Sequence, residues 1–180
     1  MEEVPPPVLK PGGVLVENAY SLISAGTERA TVSTAQASII GKAKQRPDLV
    51  KQVIDNVKRE GLIATYKKVK TRLETLKPLG YSCAGMVLES SCEEFQPGDC
   101  VACAGAGYAS HAEIVFVPKN LCVKVPDNVG LDEASFATLG AIALQGVRQS
   151  EVHIGENVVV IGLGLLGLLT VAILKAGGCK

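Results

Sequence analysis

The hydrophobic positions of this chain change their spacing along its length, and each spacing predicts a different kind of element. Between residues 12 and 24 they alternate with polar positions, which predicts one or two strands before a turn at Ser24–Glu28. Between residues 31 and 77 they fall at helical spacing and predict two helices, about 47–60 and 62–76, separated by Gly61. Short apolar runs then predict the strands of a small barrel or sandwich, at 84–88, 100–104, 112–117 and 121–125.

The last part of the chain reads as helix, strand, glycine-rich turn and helix. Leu131–Ala134 begins a predicted helix that continues through Ala137–Val147. The β-branched run Asn157–Ile161 predicts a buried parallel strand. The six residues that follow it match the pattern G-x-G-x-x-G, and they are Gly162, Leu163, Gly164, Leu165, Leu166 and Gly167. A helix is then predicted over Leu168–Ala176, closed by two glycines.

A glycine-rich turn between a strand and a helix is typical of dinucleotide-binding proteins. Gly162 permits the tight turn, Gly164 lets the backbone approach a pyrophosphate, and Gly167 lets helix and strand pack closely. The helix N-terminus offers N–H groups and a positive dipole end to the anion, so residues 162–167 are the predicted cofactor-binding residues. The acidic residue expected on the ribose lies roughly 20 residues further on, past Lys180. The pattern therefore predicts NAD or NADP without distinguishing them.

Two other interpretations of this segment stay open. One is an ordinary glycine-rich corner between a strand and a helix. The other is a membrane span, because Val158–Leu174 contains no charged residue. That stretch is at the short end of the spanning range and contains three glycines, which argues against a span.

Composition limits the classes of function. The chain has 180 residues, is 47% hydrophobic and so can bury a core, and its 18 basic residues balance 18 acidic ones, which argues against nucleic acid as a partner. The first residues have neither a basic start nor an apolar run, so we expect no signal peptide and a cytoplasmic location. Cys100 and Cys103 have C-x-x-C spacing but fall on a predicted strand, where their side chains diverge. We therefore expect six free, mostly buried thiols and no zinc at these cysteines.

Several short motifs occur in the order found in one enzyme superfamily. They are Pro11–Val16, Ala25–Glu28, Pro78–Gly85, Pro97–Val101, Gly107–Ala109, His111–Glu113, Ala134–Val147 and Gly162–Gly167. On these motifs the chain resembles the medium-chain dehydrogenase/reductase superfamily, which includes the zinc alcohol dehydrogenases. The resemblance covers nearly the whole chain and implies an NAD(P)-dependent oxidoreductase.

The resemblance also implies a fold class. It is a β-rich GroES-like barrel with a helical insertion, followed by the first βα unit of a truncated Rossmann α/β domain. Residues 1–150 would form the GroES-like catalytic-type domain, with Thr31–Lys77 as the insertion. Residues 151–180 would be the incomplete beginning of the Rossmann domain. In the family the first strand normally precedes the position of Met1 and the Rossmann half continues further, so we expect this chain to be a fragment. We expect it to be inactive alone, because half a Rossmann sheet cannot hold a nicotinamide.

A more specific resemblance concerns the amino-acid sequences of two segments. Ser21–Arg29 and Ile161–Gly164 are similar to a bacterial subgroup of two-domain oxidoreductases associated with surface-polysaccharide synthesis. The family resemblance implies a small-molecule substrate, a carbonyl, an alcohol or a related compound, and the subgroup resemblance implies a sugar-derived one.

The zinc ligands of the classical enzymes are missing from this chain. The resemblance places the three ligand positions at Ala25, Tyr81 and Leu139, none of which is a Cys or His. The acidic residue that follows the second ligand corresponds to Ser82. The four-cysteine structural lobe of the family is also absent, so we expect neither catalytic nor structural zinc.

Without zinc, a side chain must polarise the substrate oxygen. Thr27 matches the hydroxyl of the family's proton relay, although the distal histidine corresponds to Ala30. Tyr81 stands where a metal ligand would face the substrate. Tyr81 and Thr27 are therefore the candidate catalytic residues, donating a hydrogen bond while a nicotinamide transfers hydride. A core tyrosine and a turn hydroxyl are the plain structural alternatives.

Two further expectations concern partners. The segment 157–176 is apolar on nearly every face, so we expect self-association through it, or poor order. The alternative to an enzyme is a non-catalytic GroES-like scaffold that docks a partner through the helices of 31–77. His111 and His153, the two histidines, have no Ser or Cys nearby in sequence that suggests a triad.

Overall fold

The computed structural model describes residues 3–36, 55, 57–61, 65 and 78–180. The chain divides into two compact units. The first unit contains residues 1–24 together with 78–180, and the second contains Ala25–Lys77. The predicted insertion Thr31–Lys77 falls within the second unit. The predicted boundary between residues 150 and 151 stays a prediction.

The first unit is built on one antiparallel sheet of five strands. The strands are β1 (Gly13–Ser21), β2 (Ser82–Ser90), β3 (Cys100–Ala104), β4 (Ile114–Pro118) and β5 (Cys122–Lys124). They follow the order β4-β1-β2-β3-β5, so β1 lies between β4 and β2. Hydrogen-bonded pairing connects each of these neighbours but not β4 with β5, within the part of the chain that the structure describes. This sheet accords with the predicted GroES-like part of the fold.

Both faces of the sheet are covered near its middle. On one face a cluster of valines and cysteines forms the larger core, and it includes Val14, Val16, Cys83, Val87, Val101, Cys103, Val115 and Val117. On the other face Ala84 and Ala102 pack against Ala134 in a second, smaller cluster. Small side chains are needed there because a short helix lies against the strands. The burial of four successive residues, Ser82–Gly85, follows from this double covering.

The first helix of the chain corrects a turn prediction. Residues Ala25–Gln36 form α1 in the second unit, so the turn predicted at Ser24–Glu28 is wrong. Ser24 directly precedes the helix and Glu28 is the acidic residue of its first turn, a combination that favours a helix start. Further along, residues 57–60 are helical and Gly61, with φ of +85°, ends them as predicted. Residues 55 and 65 are also helical, and the other residues of the two helices predicted over 47–60 and 62–76 lie outside the described residues.

The helices after the sheet are α2 (Leu131–Ala134), α3 (Ala137–Gln149) and α4 (Leu165–Ala176). The single helix predicted from Leu131 onward is thus two helices. Between them, the Ser135 N–H donates to the Leu131 carbonyl at 3.0 Å and the Phe136 N–H donates to the Glu133 carbonyl at 3.0 Å. The change from i→i−4 to i→i−3 bonding at this junction tightens the end of α2 before α3 begins. No helix in the described ranges is long and apolar enough to cross a membrane.

The strand predicted over 157–161 is not buried. Val159 is 87% exposed and Ile161 is 96% exposed. Along this segment, the only strand-like pairing among the described residues is at its start, where the Val158 N–H donates to the Lys180 carbonyl at 2.9 Å. The Lys180 N–H in turn donates to the Glu156 carbonyl at 2.8 Å, which is the pattern of a parallel pair. The prediction of burial is wrong because no second strand covers the segment within the described residues.

The end of α4 agrees with the sequence. Gly178 has φ of +82°, its N–H donates to the Lys175 carbonyl, and the Cys179 N–H donates to the Leu174 carbonyl at 3.0 Å. These two bonds are those of a Schellman cap, which requires a left-handed residue at this position. The predicted closure of the helix by two glycines is confirmed.

One ion pair gives the fold a pH dependence that can be measured. Lys124 Nζ on β5 lies 2.7 Å from Asp99 Oδ2, next to β3. The hydrogen bond from Lys124 and the one from the Gln96 N–H lower the pKa of Asp99. Because the folded-state pKa is the lower one, the stabilisation is present above the unfolded pKa of about 3.9 and is lost as pH falls through the folded value.

We therefore expect the wild-type Tm to fall more steeply below about pH 4 than that of Asp99→Asn. Lys124→Gln should give the same flattened profile, since it removes the partner and leaves the carboxyl. Thermal unfolding between pH 2.5 and 7 checks this. Identical profiles for the three proteins would contradict a role for this ion pair.

Candidate functional site

The glycine-rich turn has the geometry that each of its glycines was predicted to provide. Gly162 has φ of +95°, the left-handed region that favours glycine. A side chain at Gly164 would meet no atom within 4 Å, so the backbone here stands open to an approaching group. A Cβ on Gly167 would overlap the Gly162 carbonyl oxygen, so α4 lies against the turn only because residue 167 has no side chain.

The first turn of α4 presents backbone donors beside this opening. Gly164 is the N-cap, and the first intrahelical bond runs from the Leu168 N–H to the Gly164 carbonyl at 2.9 Å. The N–H groups of Leu165, Leu166 and Gly167 precede that bond and have no intrahelical acceptor. Together with the helix dipole they favour an anion at this end. Leu163, which is exposed, borders the opening.

Tyr81 lies in the first unit, directly before β2. It is half-buried, and its carbonyl accepts the N–H of Gly105 at 2.9 Å. The next residue, Ser82, is buried and its hydroxyl donates to the Ser135 carbonyl at 2.6 Å. The position that is acidic in the zinc enzymes thus connects the sheet to the junction between α2 and α3. Ser82 therefore has a structural hydrogen bond at this point.

Thr27 lies in the second unit, in the first turn of α1. It is exposed, and its carbonyl accepts a hydrogen bond from the Thr31 hydroxyl at 3.0 Å. The predicted hydroxyl donor therefore stands on a helix and not in a turn. Tyr81 and Thr27 belong to different units.

The positions that hold zinc in classical enzymes carry no metal-binding side chains here. Leu139 is 1% exposed and forms part of the apolar packing of α3. Ala25 begins α1. Cys100 is exposed while Cys103 is buried, as expected for residues three apart on a strand. In the described residues, no group of three His, Cys, Asp or Glu side chains is placed to share a metal ion. The donor set at these positions does not fit zinc.

The structure adds a polar pair that the sequence did not indicate. His111 Nδ1 lies 2.9 Å from Ser21 Oγ, although 90 residues separate them in the chain. Asn18 Nδ2 donates to the carbonyls of Ser110 and Ala112 and so holds the backbone on both sides of His111. Gly80 leaves room for the imidazole, because a Cβ there would lie 2.9 Å from the ring. A hydroxyl and an imidazole in this arrangement can pass a proton between them.

His153, by contrast, is exposed in the loop after α3. Its Nδ1 lies 3.7 Å from the Glu156 carboxylate, and its backbone N–H donates to the same side chain at 3.0 Å. These contacts stabilise a surface loop. They bring no Ser or Cys hydroxyl or thiol to the imidazole.

Comparison with curated proteins finds relatives among dehydrogenases and reductases. The chain is 37% identical to D-xylulose reductase A of Aspergillus oryzae over 67 residues, which is 37% of this chain and 19% of that protein. It is 36% identical to (R,R)-butanediol dehydrogenase of Bacillus subtilis over 75 residues, 42% of this chain and 21% of that protein. L-idonate 5-dehydrogenase of Vitis vinifera is 28% identical over 129 residues, 56% of this chain and 35% of that protein. No family profile matches the chain.

Solved structures show the same fold over nearly the whole chain. Alcohol dehydrogenase TADH from Thermus sp. ATN1 superposes with a TM-score of 0.68 at 19% identity, covering 99% of this chain and 53% of that one. Galactitol-1-phosphate dehydrogenase from Escherichia coli gives 0.66 at 18% identity, covering 100% and 50%. Quinone oxidoreductase from Pseudomonas syringae gives 0.65 at 19%, covering 99% and 46%. The chain thus shares its fold with about half of each of these solved structures, and the matched segments span a fifth to a third of the curated relatives.

The close contact between Gly167 and the Gly162 carbonyl predicts that a side chain at residue 167 lowers the stability of the fold. We expect Gly167→Ala to lower the free energy of unfolding by about 1–3 kcal/mol, because the new Cβ overlaps the Gly162 carbonyl. Gly146→Ala is the matched control, since Gly146 lies in α3 with open space around it. That control should be neutral or stabilising by about 0.5–1 kcal/mol. Denaturant unfolding checks both, and equal effects of the two substitutions would contradict the close approach.

Proposed function

We propose that this chain is the GroES-like half and the first βα unit of a zinc-independent, NAD(P)-dependent oxidoreductase. The observation that carries the proposal is the turn at Gly162–Gly167, where each glycine meets a separate geometric demand of pyrophosphate binding. The curated relatives, which are named dehydrogenases and reductases, support the same class. The coverage of about half of each solved neighbour supports the view that 180 residues are a part of the active protein.

The cofactor would be held by the backbone of the turn. The open space at Gly164 admits a pyrophosphate, and the N–H groups of Leu165, Leu166 and Gly167 would bind its oxygens. When bound, a nicotinamide gives or takes the hydride. The parallel pair at Lys180 supports a Rossmann-type continuation, because a strand, a helix and a returning parallel strand make up its repeating unit.

The chain's own side chains would then act on the substrate oxygen. Tyr81 would polarise the substrate oxygen by donating a hydrogen bond, where zinc does so as a Lewis acid in classical enzymes, and Thr27 is the second candidate donor. The lack of metal-binding side chains at Ala25 and Leu139 supports this zinc-free assignment.

The substrate would be a small carbonyl or alcohol compound of the polyol or sugar class. The named activities of the relatives, on xylulose, butanediol and idonate, support this class. We infer no nucleic-acid or membrane partner. A soluble substrate and cofactor accord with a cytoplasmic location.

Titration of NADH and NADPH against the 180-residue chain and against the full-length gene product tests the proposal. Binding is measured by nicotinamide fluorescence. We expect saturable binding to the full-length protein, and binding weakened about tenfold or more in its Gly164→Val variant, whose side chain fills the opening. Absence of binding to the full-length protein would overturn the proposal and favour a scaffold role.

The role of Tyr81 is tested separately in the full-length protein. Tyr81→Phe should lower kcat by about 100-fold with little change in the Kd of NADH, since it removes a hydrogen bond to the reacting oxygen. Tyr108→Phe, which changes an exposed tyrosine of the same unit, is the control. A panel of polyols and ketoses with either cofactor supplies the assay. An unchanged rate in Tyr81→Phe would remove this residue from the mechanism.

We also propose that the chain forms a homo-oligomer through residues 157–176. Val159, Ile161 and Leu168 are exposed apolar side chains of this segment, and such patches favour association. Ile161→Lys should shift the chain toward monomer in sedimentation velocity. Val8→Lys, which changes an equally apolar exposed residue at the other end of the chain, should not. A wild-type chain that sediments as a monomer at all concentrations would contradict this interface.

A further inference from the structure

Three thiols form a row across the sheet. In the strand register, Cys103 on β3 lies opposite Cys83 on β2 and opposite Cys122 on β5. Directly opposed residues of a sheet share one face, so the three side chains lie side by side. Each of these cysteines is free, and Cys103 Sγ lies 3.8 Å from Cys122 Sγ.

Cys103 and Cys122 form a non-hydrogen-bonded pair of the antiparallel sheet, the type in which opposed residues lie closer together. The Val125 N–H donates to the Cys100 carbonyl at 2.9 Å, three register positions from Cys103 and Cys122. Since hydrogen-bonded and non-hydrogen-bonded pairs alternate, these two cysteines form a non-hydrogen-bonded pair. Opposed Cα atoms in such pairs are about 4.5 Å apart, within the range of about 4.4–6.8 Å that disulfides span.

Cys83, the other neighbour of Cys103, forms a hydrogen-bonded pair with it, the type in which opposed residues lie further apart. The Gly105 N–H donates to the Tyr81 carbonyl, two register positions from Cys83 and Cys103. Cys83 and Cys103 are therefore a hydrogen-bonded pair, whose Cα atoms lie about 5.5 Å apart. Both separations lie within the range that disulfides span. The 3.8 Å distance between the Cys103 and Cys122 sulfur atoms and the partial exposure of Cys122, against the burial of Cys83, favour Cys122 as the partner.

The two thiols differ in exposure and in acidity. Cys122 is partly exposed at the edge strand, whereas Cys103 is 2% exposed. The hydrogen bond from Cys103 lowers the pKa of Cys122, against burial, which raises it. Hydrogen bonds to Cys122 and Cys83, together with burial, raise the pKa of Cys103. Cys122 is accordingly the more accessible and the more acidic of the two thiols, although its S–H also donates to the Pro118 carbonyl at 3.6 Å.

We propose that Cys103 and Cys122 form a redox modification site that reacts with low-molecular-weight disulfides such as glutathione disulfide. The Cys122 thiol ionises and its sulfur attacks one glutathione sulfur, so that a Cys122–glutathione bond forms, the glutathione S–S bond breaks and the departing glutathione takes up the proton. Cys103 then gives up its proton and attacks the Cys122 sulfur, which releases the second glutathione. Two protein thiols are oxidised to one disulfide, and one glutathione disulfide is reduced to two thiols.

The first step places the sulfur that is to be attacked beside Cys103, since the two sulfur atoms lie 3.8 Å apart. The resulting bond ties the three-residue edge strand β5 to a position whose carbonyl also accepts the Thr138 hydroxyl of α3 at 3.3 Å. Oxidation would therefore fix the edge of the sheet next to that helix.

Disulfide mapping of the 180-residue chain tests the site. The reduced chain is incubated with glutathione disulfide at pH 7.5, remaining thiols are blocked with N-ethylmaleimide, and peptides are identified by mass spectrometry. We expect a peptide linked through Cys103 and Cys122, and mixed glutathione disulfide at the exposed Cys100, which has no thiol opposite it in the register. A modified Cys100 with Cys103 and Cys122 both still reduced would overturn the proposal.

Two variants separate the steps. Cys103→Ala should leave Cys122 as a stable mixed disulfide with glutathione, and Cys122 should react several-fold more slowly because the donor to its sulfur is gone. Cys83→Ala is the matched control and should keep the Cys103–Cys122 bond. Two outcomes would contradict the assignment. One is a Cys83–Cys103 bond in the wild-type chain. The other is a fraction of Cys122 not linked to Cys103 that is as large in the wild-type chain as in Cys103→Ala. The mapping of the wild-type chain decides the matter even where a variant fails to fold.

Discussion

The close approach of α4 to the turn before it is the constraint on which the candidate cofactor site depends. Residue 167 can lie against the Gly162 carbonyl only without a side chain, and Gly162 can turn the chain there only with a left-handed backbone. With both conditions met, α4 begins beside the open space at Gly164. The Schellman cap at Gly178 then reverses the chain, and Lys180 returns alongside Glu156 and Val158. Glycines thus determine both the start and the end of α4.

The sheet of the first unit obeys a similar constraint of small residues. A Cβ on Gly85 would overlap the Glu17 carbonyl oxygen, so β1 and β2 can approach closely beside the irregular register of β1. On the face of the sheet that packs against α2, Ala84 and Ala102 leave room for Ala134. The irregular end of β1 carries Asn18 and Ser21, which hold His111 in place. The packing of the sheet and the placement of polar groups at its end are therefore coupled.

Much of this could be predicted from the sequence, because it depends on local patterns. The strand 100–104 was predicted with its observed bounds, and the glycines at 162, 167 and 178 have the roles that their spacing indicates. The turn at Ser24–Glu28 was wrong because a polar, Gly-containing stretch can equally begin a helix when an acidic residue stands in its first turn. Burial of 157–161 was wrong because β-branched composition predicts a strand but not the neighbour that would cover it. The Ser21–His111 and Cys103–Cys122 contacts depend on strand register, which no local pattern contains.

The central claim is that the backbone of residues 162–167 binds a dinucleotide pyrophosphate. The most direct measurement is a ¹⁵N–¹H spectrum of the full-length gene product labelled with ¹⁵N-glycine, recorded with NADH and with nicotinamide mononucleotide, which lacks the pyrophosphate. The account predicts that the amides of Gly162, Gly164 and Gly167 shift with NADH and much less with the mononucleotide, while Gly98 and Gly146 stay unchanged. Equal shifts with both compounds, or NADH-induced shifts confined to other glycines, would contradict it.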